Sequence, residues 1–307
     1  MGTEISGGRG QLNLYELPEG CIANVLSLTS PRDACRLSLV ASTFRSAAES
    51  DAVWGRFLPS DYHDILGRAV DSSQPLVFTS KKDLYFRLCD HPLIIDKGTK
   101  SFSLEKWSGK KCYMLAAKDL AIVWGDTPMY WRWTSQRESR FKEVAELINV
   151  CWLEICGKIA TCLLSPDTTY AAYLVFKSLT GAYGFEYQPV EVSVRIKGGE
   201  GETQNVFLDP DGGQMHRYQI IPRRIGLFNR GFNMLRQQVT VPRDISNGQY
   251  PKQRGDGWME IELGEYFNKG GDGEDGELEM SLMEVKGGGW KSGLVVEGIE
   301  IRPKEGK

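Results

Sequence analysis

The first part of the chain, as far as residue 58, repeats its apolar residues at intervals of three and four, the spacing of one face of an α-helix. In the stretch LPEGCIANVLSL, the residues Ile22, Val25 and Leu26 fall on one face. Pro18 stands at a position that suits the first turn of a helix. The pattern predicts a short amphipathic helix here.

Two more helices are predicted between residues 30 and 58. In SPRDACRLSLVASTFRSAAE, Ser30 can cap the helix start and Asp33 follows three positions later, as in a variant of the capping box. Apolar residues then recur at helical spacing as far as Phe44, and SDAVWGRFLP gives a third helix that Pro59 ends. Three short helices within about 47 residues bury too little surface to be stable alone. We therefore expect their apolar faces to contact the rest of the chain or another protein.

A connector is predicted over residues 59–98. In TSKKDLYFRLCDHPLIID, Ser80 can cap a helix on which Leu84 and Leu88 lie four positions apart. This segment is too apolar for a flexible tether, so we expect a helical brace that fixes the geometry between two domains. At the other end, residues 1–11 (MGTEISGGRGQ) lack the apolar core of a signal peptide and are predicted to be a flexible tail.

From about residue 99 the apolar pattern changes to alternation, which is typical of strands. In VCWLEICGKIAT, Leu153 and Ile155 alternate with Trp152 and Glu154, as on a half-buried strand. Comparable stretches are YAAYLVFKSL, EVSVRIK, DGWMEIELGEYF, GELEMSLMEV and GLVVEGIEIRP. Many short strands separated by Gly-rich turns predict an antiparallel β-sandwich.

Three segments of this half depart from simple alternation. The apolar parity of GLVVEGIEIRP changes around Gly298, which predicts a β-bulge. Residues 140–150 (RFKEVAELINV) have helical spacing and predict the one amphipathic helix of this half. The segment 197–256 contains a poorly patterned part and is predicted to be a long excursion.

Length and composition restrict the function classes. A chain of 307 residues is long enough for two domains, and its 37 Lys and Arg against 40 Asp and Glu give no basic excess for nucleic-acid binding. No stretch of about 18 apolar residues is present, so we expect no membrane span. The seven cysteines form no Cys-x-x-Cys pair and no histidine stands at ligand spacing from them. We therefore expect no metal or other cofactor, and reduced thiols in the cytoplasm or nucleus.

An aromatic cluster stands around a predicted turn in LAIVWGDTPMYWRW. Trp124 ends one predicted strand and Trp131 begins the next, with Trp133 on the same face as Trp131 and Tyr130 on the other. Indole rings at a sheet margin can stack on the apolar face of a sugar, while nearby carboxylates accept hydrogen bonds from its hydroxyls. The alternative for any single tryptophan is that it packs in the core.

The stretch LYELPEGCIANVLSLTSPRDACRLSLVASTFRSAAESDAVWGRFLP resembles an F-box, which places that domain at residues 12–58. The resemblance implies docking onto a Skp-type adaptor and, through it, onto the cullin scaffold of an SCF ubiquitin ligase. It implies that seven residues contact the adaptor or support the contact, with packing inside the chain as the alternative for each: Leu17, Pro18, Ile22, Leu26, Leu37, Val40 and Trp54.

Residues 99–305 resemble the phloem protein 2 family with its Nictaba-like lectin domain, a plant family. The match runs through SFSLEKWSGKKCYMLAAKDLAIVWGDTPMYWRW, EVAELINVCWLEICGKI, RGDGWMEIELGEYF and EDGELEMSLMEVKGGGWKSGLVVEGIEIRPK. The resemblance implies a jelly-roll-like sandwich that binds N-acetylglucosamine-containing or related glycans. It implies four carbohydrate-binding residues, Trp124, Trp131, Glu277 and Glu284, with Glu279 as an alternative acid.

The sequence thus predicts an α+β multidomain protein in which an N-terminal helical F-box precedes an antiparallel β-sandwich. The leading hypothesis is a substrate receptor of a ubiquitin ligase with a glycan or glycoprotein target. The alternative is a receptor that has lost sugar binding and holds an unglycosylated protein, with the 197–256 excursion as a candidate for the specificity. An enzyme is not expected, since no nucleophile elbow, Walker loop or dinucleotide fingerprint is present, although paired carboxylates can hydrolyse glycosides.

Overall fold

The computed structural model describes six stretches of the chain, and statements about the structure refer to them: 17–70, 77–185, 188–199, 201–209, 249–270 and 276–304. The predicted tail at residues 1–11 and residues 210–248 of the predicted excursion lie outside these stretches.

Short helices form the N-terminal part, as predicted. Their bounds are α1 Glu19–Ser27, α2 Pro31–Leu37, α3 Ser42–Glu49 and α4 Asp51–Phe57. The single helix predicted from residue 30 to residue 49 is wrong, because the chain turns between α2 and α3 and Ala41 is extended. This break lets Ala34 of α2 and Phe44 of α3 both reach the core, whereas one straight helix would fix their relative direction.

The predicted start of α2 is confirmed. The Ser30 hydroxyl oxygen accepts a hydrogen bond from the Asp33 backbone N–H (3.1 Å) and donates one to Asp33 Oδ2 (2.8 Å). Such a cap satisfies a backbone donor that has no partner within the helix. Ser80 caps a later helix in the same way, since it accepts from the Asp83 N–H at 3.1 Å.

The connector packs against both halves of the molecule. It contains α5 Tyr62–Gly67, α6 Lys81–Asp90 and β1 Leu93–Ile95. On one side, the ring centroid of Tyr85 in α6 lies 5.1 Å from that of Trp54 in α4. On the other side, the Tyr85 hydroxyl donates to the Lys106 carbonyl oxygen (3.1 Å) in the β half. The helix α6 therefore lies between the two halves as a brace.

The C-terminal part is built from antiparallel strands in two sheets. After β1 the strands are β2 Lys100–Leu104, β3 Lys111–Ala116, β4 Ala121–Ile122, β5 Trp131–Thr134, β6 Val144–Leu147, β7 Leu153–Ala160, β8 Thr168–Tyr183, β9 Val190–Ile196, β10 Thr203–Val206, β11 Lys252–Gln253, β12 Met259–Asn268, β13 Glu277–Glu284 and β14 Ser292–Pro303. The larger sheet has the order β1-β2-β3-β14-β8-β12-β11, with β6 paired to β14 and β5 paired to β6. The smaller sheet has the order β10-β9-β13-β7-β4.

The two sheets pack face to face around one core. Gly157 of β7 approaches the larger sheet so closely that a Cβ there would lie 3.0 Å from the Ile299 side chain and 3.2 Å from Leu115. Buried residues of the helices belong to the same core, among them Trp54 and Leu84. The predicted class, a helical F-box region followed by a β domain of antiparallel sheets, is confirmed.

The alternation predicted for β7 and the bulge predicted in β14 are also confirmed. Leu153 and Ile155 are buried between the sheets while Glu154 faces outward. The register of β14 against β8 shifts between Val296 and Gly298. A Cβ at Gly298 would lie 2.0 Å from the carbonyl oxygen of the neighbouring strand, so only glycine fits where the bulge brings these backbones together.

The helix predicted over residues 140–150 is wrong. This segment contains β6, which pairs with β5 on one side and β14 on the other. Val144 and Leu147 are buried, and Glu146 instead pairs with Arg132 of β5. The helical spacing of the apolar residues was compatible with a strand of four residues, and pairing with two neighbours decided between the two.

Candidate functional site

The structure leaves some of the predicted adaptor-binding residues on the surface of the F-box helices. Pro18 is exposed just before α1, and Val40, in the turn after α2, is 58% exposed. Leu17 and Leu37 are partly buried against the core. These four residues present at least part of their apolar surface to solvent.

The other predicted adaptor residues lie inside the chain. Ile22, Leu26 and Trp54 are buried, and the Trp54 indole N–H donates to the Ala48 carbonyl oxygen (2.6 Å). They can support the position of α1 and α4, but they offer no surface to a partner in this structure. These three residues therefore pack within the chain, which was the alternative to adaptor contact.

Three exposed apolar residues beside them were not among the predicted contacts: Val25, Leu28 and Leu39. The assignment of Val25 to the same face as Ile22 and Leu26 is wrong, because Val25 is about half exposed. The spacing Pro18, Val25 and Leu28 follows one side of α1, so a second apolar face was visible in the sequence.

In the β domain, Trp124 has an exposed ring and an unusual backbone. Its φ of 57° lies in the left-handed region, which a bulky residue rarely adopts. The ring is 42% exposed and its centroid lies 5.1 Å from that of Tyr130. Backbone strain held by the surrounding structure is characteristic of functional positions, so Trp124 is a strong candidate for ligand contact.

The expectation of an open ring at Trp131 is wrong. Only 2% of Trp131 is exposed, because the residue begins β5 and its side chain points into the core. Its indole N–H donates to the Val123 carbonyl oxygen at 3.2 Å, and the indole N–H of Trp133 donates to the Gly125 carbonyl oxygen at 3.1 Å. These two bonds bracket Trp124 and hold its strained turn, so Trp131 positions Trp124 and is itself covered.

Glu284 is also buried, and it forms an ion pair with the buried side chain of Lys291. Its other carboxylate oxygen accepts from the Gly287 N–H at 2.8 Å. The Lys291 ammonium donates to the Cys151 (3.1 Å) and Gly289 (2.7 Å) carbonyl oxygens. The pair ties β13, the turn after it and the 151 region together, and it leaves Glu284 without a surface for a sugar.

Glu277 lies at the other end of β13 from Glu284 and on its opposite face. The seven residue-to-residue steps from one to the other span about 23 Å at the usual rise of a strand. Glu277 pairs with Lys197 (3.1 Å) and Lys158 (3.4 Å), and the Lys197 hydrogen bond lowers the pKa of its carboxyl. The alternative acid Glu279 also pairs with Lys158 (2.8 Å). The structure therefore does not bring Glu277 and Glu284 together in one pocket.

Four aromatic residues that were not predicted to bind carbohydrate lie on segments joined to that of Trp124. We call five side chains the aromatic rim: Trp124, Tyr130, Trp152, Tyr183 and Trp290. Tyr130 is partly buried and the other four are exposed.

Backbone and side-chain contacts join the segments that carry the aromatic rim. The Tyr130 carbonyl oxygen accepts from the Ile148 N–H at 2.9 Å, and the Tyr183 hydroxyl donates to Asn149 Oδ1 at 3.0 Å. Val150 and Lys291 form a backbone bridge that places Trp290 beside the same segment.

The segments of Trp152 and Trp124 are also joined by hydrogen bonds. The Trp152 indole N–H donates to Glu154 Oε2 at 2.9 Å, and the Val123 N–H donates to the Glu154 carbonyl oxygen at 3.1 Å. Trp152 alternates with the buried residues Leu153 and Ile155 on the same side as Glu154, which was the available signal for its exposure. Trp290 lies in a glycine-rich turn whose position only the fold fixes.

All seven cysteines are free, and burial raises the pKa of the Cys89 thiol to about 12. A raised pKa keeps a thiol protonated and weakly nucleophilic. Within the stretches that the structure describes, no group of three or more His, Cys, Asp or Glu side chains is arranged to hold a metal ion. No helix there is long and apolar enough to cross a membrane.

Comparison with known families assigns both halves of the chain. Residues 14–60 match the F-box-like family and residues 110–303 match the family described as Phloem protein 2. The chain therefore belongs to the phloem protein 2 family and carries an F-box-like domain at its N-terminal side. It is an F-box protein with a lectin-like β domain, of an adaptor type that is not a known catalytic family.

Relatives from Arabidopsis thaliana resemble the chain over nearly its whole length. F-box protein PP2-B1 is 44% identical, and the match covers 94% of this chain and 89% of that protein. Putative F-box protein PP2-B12 is 46% identical, and the match covers 96% of this chain and 99% of that protein. Among solved structures, the CBM22-1 xylan-binding domain from Paenibacillus barcinonensis matches 63% of this chain and 87% of its own at 11% identity, with a TM-score of 0.26. A similarity of that size carries no argument about the ligand.

Proposed function

We propose that this F-box protein is the substrate-recognition subunit of a cullin-RING ubiquitin ligase of the SCF type. The F-box helices bind a Skp-type adaptor, and the β domain binds glycans or glycoproteins that contain N-acetylglucosamine or related sugars. The observation that carries the proposal is that each domain keeps its own exposed apolar surface. One is formed by Pro18, Val25 and Val40 of the F-box, and the other is the aromatic rim of the β domain.

The F-box surface supports adaptor binding because it remains exposed after the helices have packed on the rest of the chain. Ile22, Leu26 and Trp54 are already covered, so the remaining apolar residues are not needed for the core of this chain. Exposed apolar patches on a soluble protein commonly mark interaction surfaces. The protein then contributes proximity, since it holds a target near a ligase-bound ubiquitin conjugate and performs no bond chemistry itself.

Glycan binding is supported by the aromatic rim, in which the exposed ring of Trp124 contacts that of Tyr130. Exposed indole faces can stack on the C–H surfaces of sugar rings, and Glu154 and Asn149 beside them can accept hydrogen bonds from hydroxyls. In this proposal Trp131 and Glu284 position the site from inside the fold, while Trp124 contacts the sugar. Glu277 lies outside the site.

A second candidate function is an F-box receptor whose β domain binds an unglycosylated protein and no sugar. One observation favours it: Trp131 and Glu284, two of the four residues expected to bind carbohydrate, are buried in intramolecular contacts. An aromatic surface without convergent carboxylates is equally suited to a protein partner.

The deciding experiment combines adaptor co-purification with a glycan array, using the full chain. We expect Val40→Asp with Val25→Asp to abolish adaptor binding and to leave glycan binding unchanged. We expect Trp124→Ala to do the reverse, with at least about tenfold weaker glycan binding, the equivalent of about 1.4 kcal/mol. A wild-type protein that binds adaptor but no arrayed glycan would support the second candidate. A wild-type protein that binds no adaptor would refute both.

We also propose that the protein acts in the cytoplasm and nucleus. Its seven free cysteines support this, because disulfides are rare in those reducing compartments. Fractionation of the tagged full chain would test it.

A further inference from the structure

A cleft lies between the F-box helices and the β domain, and none of the residues assigned above to glycan binding lines it. Its volume is about 590 Å3, within the usual range of small-molecule sites. One wall is formed by residues 27–31 and 56–60 of the F-box region. The other is formed by residues 108–111 and 165–166 of the β domain.

The walls of the cleft carry positive charge. Among the described residues that line it are Arg56, Lys110 and Lys111 and no aspartate or glutamate. Asp61 neutralises Lys111, since Lys111 Nζ lies 2.8 Å from Asp61 Oδ2. Two cations remain, Arg56 on the F-box wall and Lys110 on the β wall.

Neither remaining cation is neutralised by an acid in the described structure. The Lys110 ammonium donates to the Pro166 carbonyl oxygen at 3.1 Å, which leaves further N–H groups free to donate. Arg56, in the last turn of α4, forms no ion pair with any residue that the structure describes. Glu105, next to this wall, already accepts from the backbone N–H groups of Trp107 (3.0 Å) and Ser108 (2.7 Å) in its own turn.

We propose that this cleft binds a small molecule with two neighbouring phosphate groups, one held from each wall. The guanidinium fork of Arg56 suits two oxygens of one phosphate, and the Lys110 ammonium binds the other as a point charge. Hydroxyl groups that line the cleft, among them Ser60, supply neutral donors. Such a ligand joins the F-box to the β domain, so its binding stiffens the geometry between the adaptor surface and the target surface.

The floor of the cleft supports this coupling. Gly109 has a φ of 71° and approaches the end of α4 so closely that a Cβ on it would lie 2.9 Å from the Phe57 carbonyl oxygen. The two walls therefore touch at this point of the lining, so a ligand in the cleft can reach both without a large movement.

The test is titration calorimetry on the full chain with inorganic pyrophosphate, orthophosphate and sulfate at one fixed ionic strength. We expect saturable binding of pyrophosphate that is at least about tenfold tighter than that of either single anion, about 1.4 kcal/mol. Arg56→Gln and Lys110→Gln should each weaken pyrophosphate binding by about tenfold or more, because each removes charge-assisted bonds. The control Arg45→Gln removes the same charge from an exposed position on α3 and should leave the affinity unchanged.

Hydrogen exchange supplies a second readout, since pyrophosphate should slow amide exchange in both walls together, at residues 27–31 and at 108–111. The proposal is overturned by the absence of saturable pyrophosphate binding, by equal affinity for sulfate, or by equal loss of affinity in Arg45→Gln. Unchanged melting temperatures of the ligand-free variants show that they remain folded.

Discussion

Glu284 and Lys291 form an ion pair in which both side chains are buried, at the base of the turn between β13 and β14. The pair also satisfies the backbone, because Gly287 donates to Glu284 and Lys291 donates to Gly289. A carboxylate expected to bind sugar thus stabilises the turn that carries Trp290, and its charge is already compensated inside the protein.

Removing one member of this pair should be strongly destabilising. Glu284→Gln leaves the Lys291 ammonium buried without a counter-charge, and Lys291→Met leaves the Glu284 carboxylate in the same state. Each substitution should lower the free energy of unfolding by about 3–5 kcal/mol. The double variant should recover most of that loss, because neither buried charge remains. Urea unfolding of wild type, the two single variants and the double variant completes a double-mutant cycle. Single variants whose free energy of unfolding lies within about 1 kcal/mol of wild type would contradict the buried pair.

Trp131 should affect glycan binding through the turn of Trp124. Trp131→Phe keeps most of the buried ring but removes the bond to the Val123 carbonyl oxygen, which should cost about 1 kcal/mol of stability. Because the turn holding Trp124 is then less constrained, we expect weaker glycan binding. The exposed Trp107, substituted by Phe, is a control that should change neither stability nor affinity. Trp131→Phe with normal glycan binding would refute the positioning role.

The acid stability of the β domain should depend on Glu300. Burial acts to raise its pKa, but hydrogen bonding to Arg254 and the charges of Arg254, Arg140 and Arg302 outweigh burial and lower the pKa from 4.5 to about 2. A carboxyl whose folded pKa is depressed contributes stability that is present above the unfolded value. That contribution is lost as the pH falls from 4.5 towards about 2.

Glu300→Gln should therefore be less stable than wild type at pH 7, and the difference should shrink below pH 4.5. Chemical unfolding at a series of pH values measures it. Glu297→Gln is a control whose effect on stability should depend on pH in the opposite direction. Burial raises the pKa of Glu297, so its ionisation opposes folding as the pH rises. Equal pH profiles for the two variants would contradict this assignment.

The contact between the F-box and the β domain can be tested at Gly109. Gly109→Ala introduces backbone strain and a clash with the Phe57 carbonyl oxygen 2.9 Å from the new Cβ. Gly98→Ala introduces similar strain, since its φ is 90°, but a Cβ there meets nothing within 4 Å. We expect both to lose about 1–3 kcal/mol, with the larger loss in Gly109→Ala. Equal losses by thermal unfolding would mean that the two domains do not press together at this point.

Much of the fold followed from local patterns. Ser30 and Ser80 act as helix caps, β7 alternates and Gly298 marks a bulge because each depends on neighbours along the chain. The order of strands in the sheets could not be predicted in this way. For residues 140–150, apolar spacing alone favoured a helix, and only pairing with β5 and β14 made the segment a strand.

The sequence by itself determined which domains this protein has, because the order of motifs and the period of apolar residues are properties of the chain. It also identified Trp124, whose place in a short turn between strands is local. Which side chains remain open to a ligand was decided by the tertiary structure. Packing of the two sheets covers Trp131, and a lysine seven residues along the chain neutralises Glu284. Trp152, Tyr183 and Trp290 are distant in sequence and exposed, and the pairing of their neighbours Val150 with Lys291 and Asn149 with Tyr183 brings their segments together.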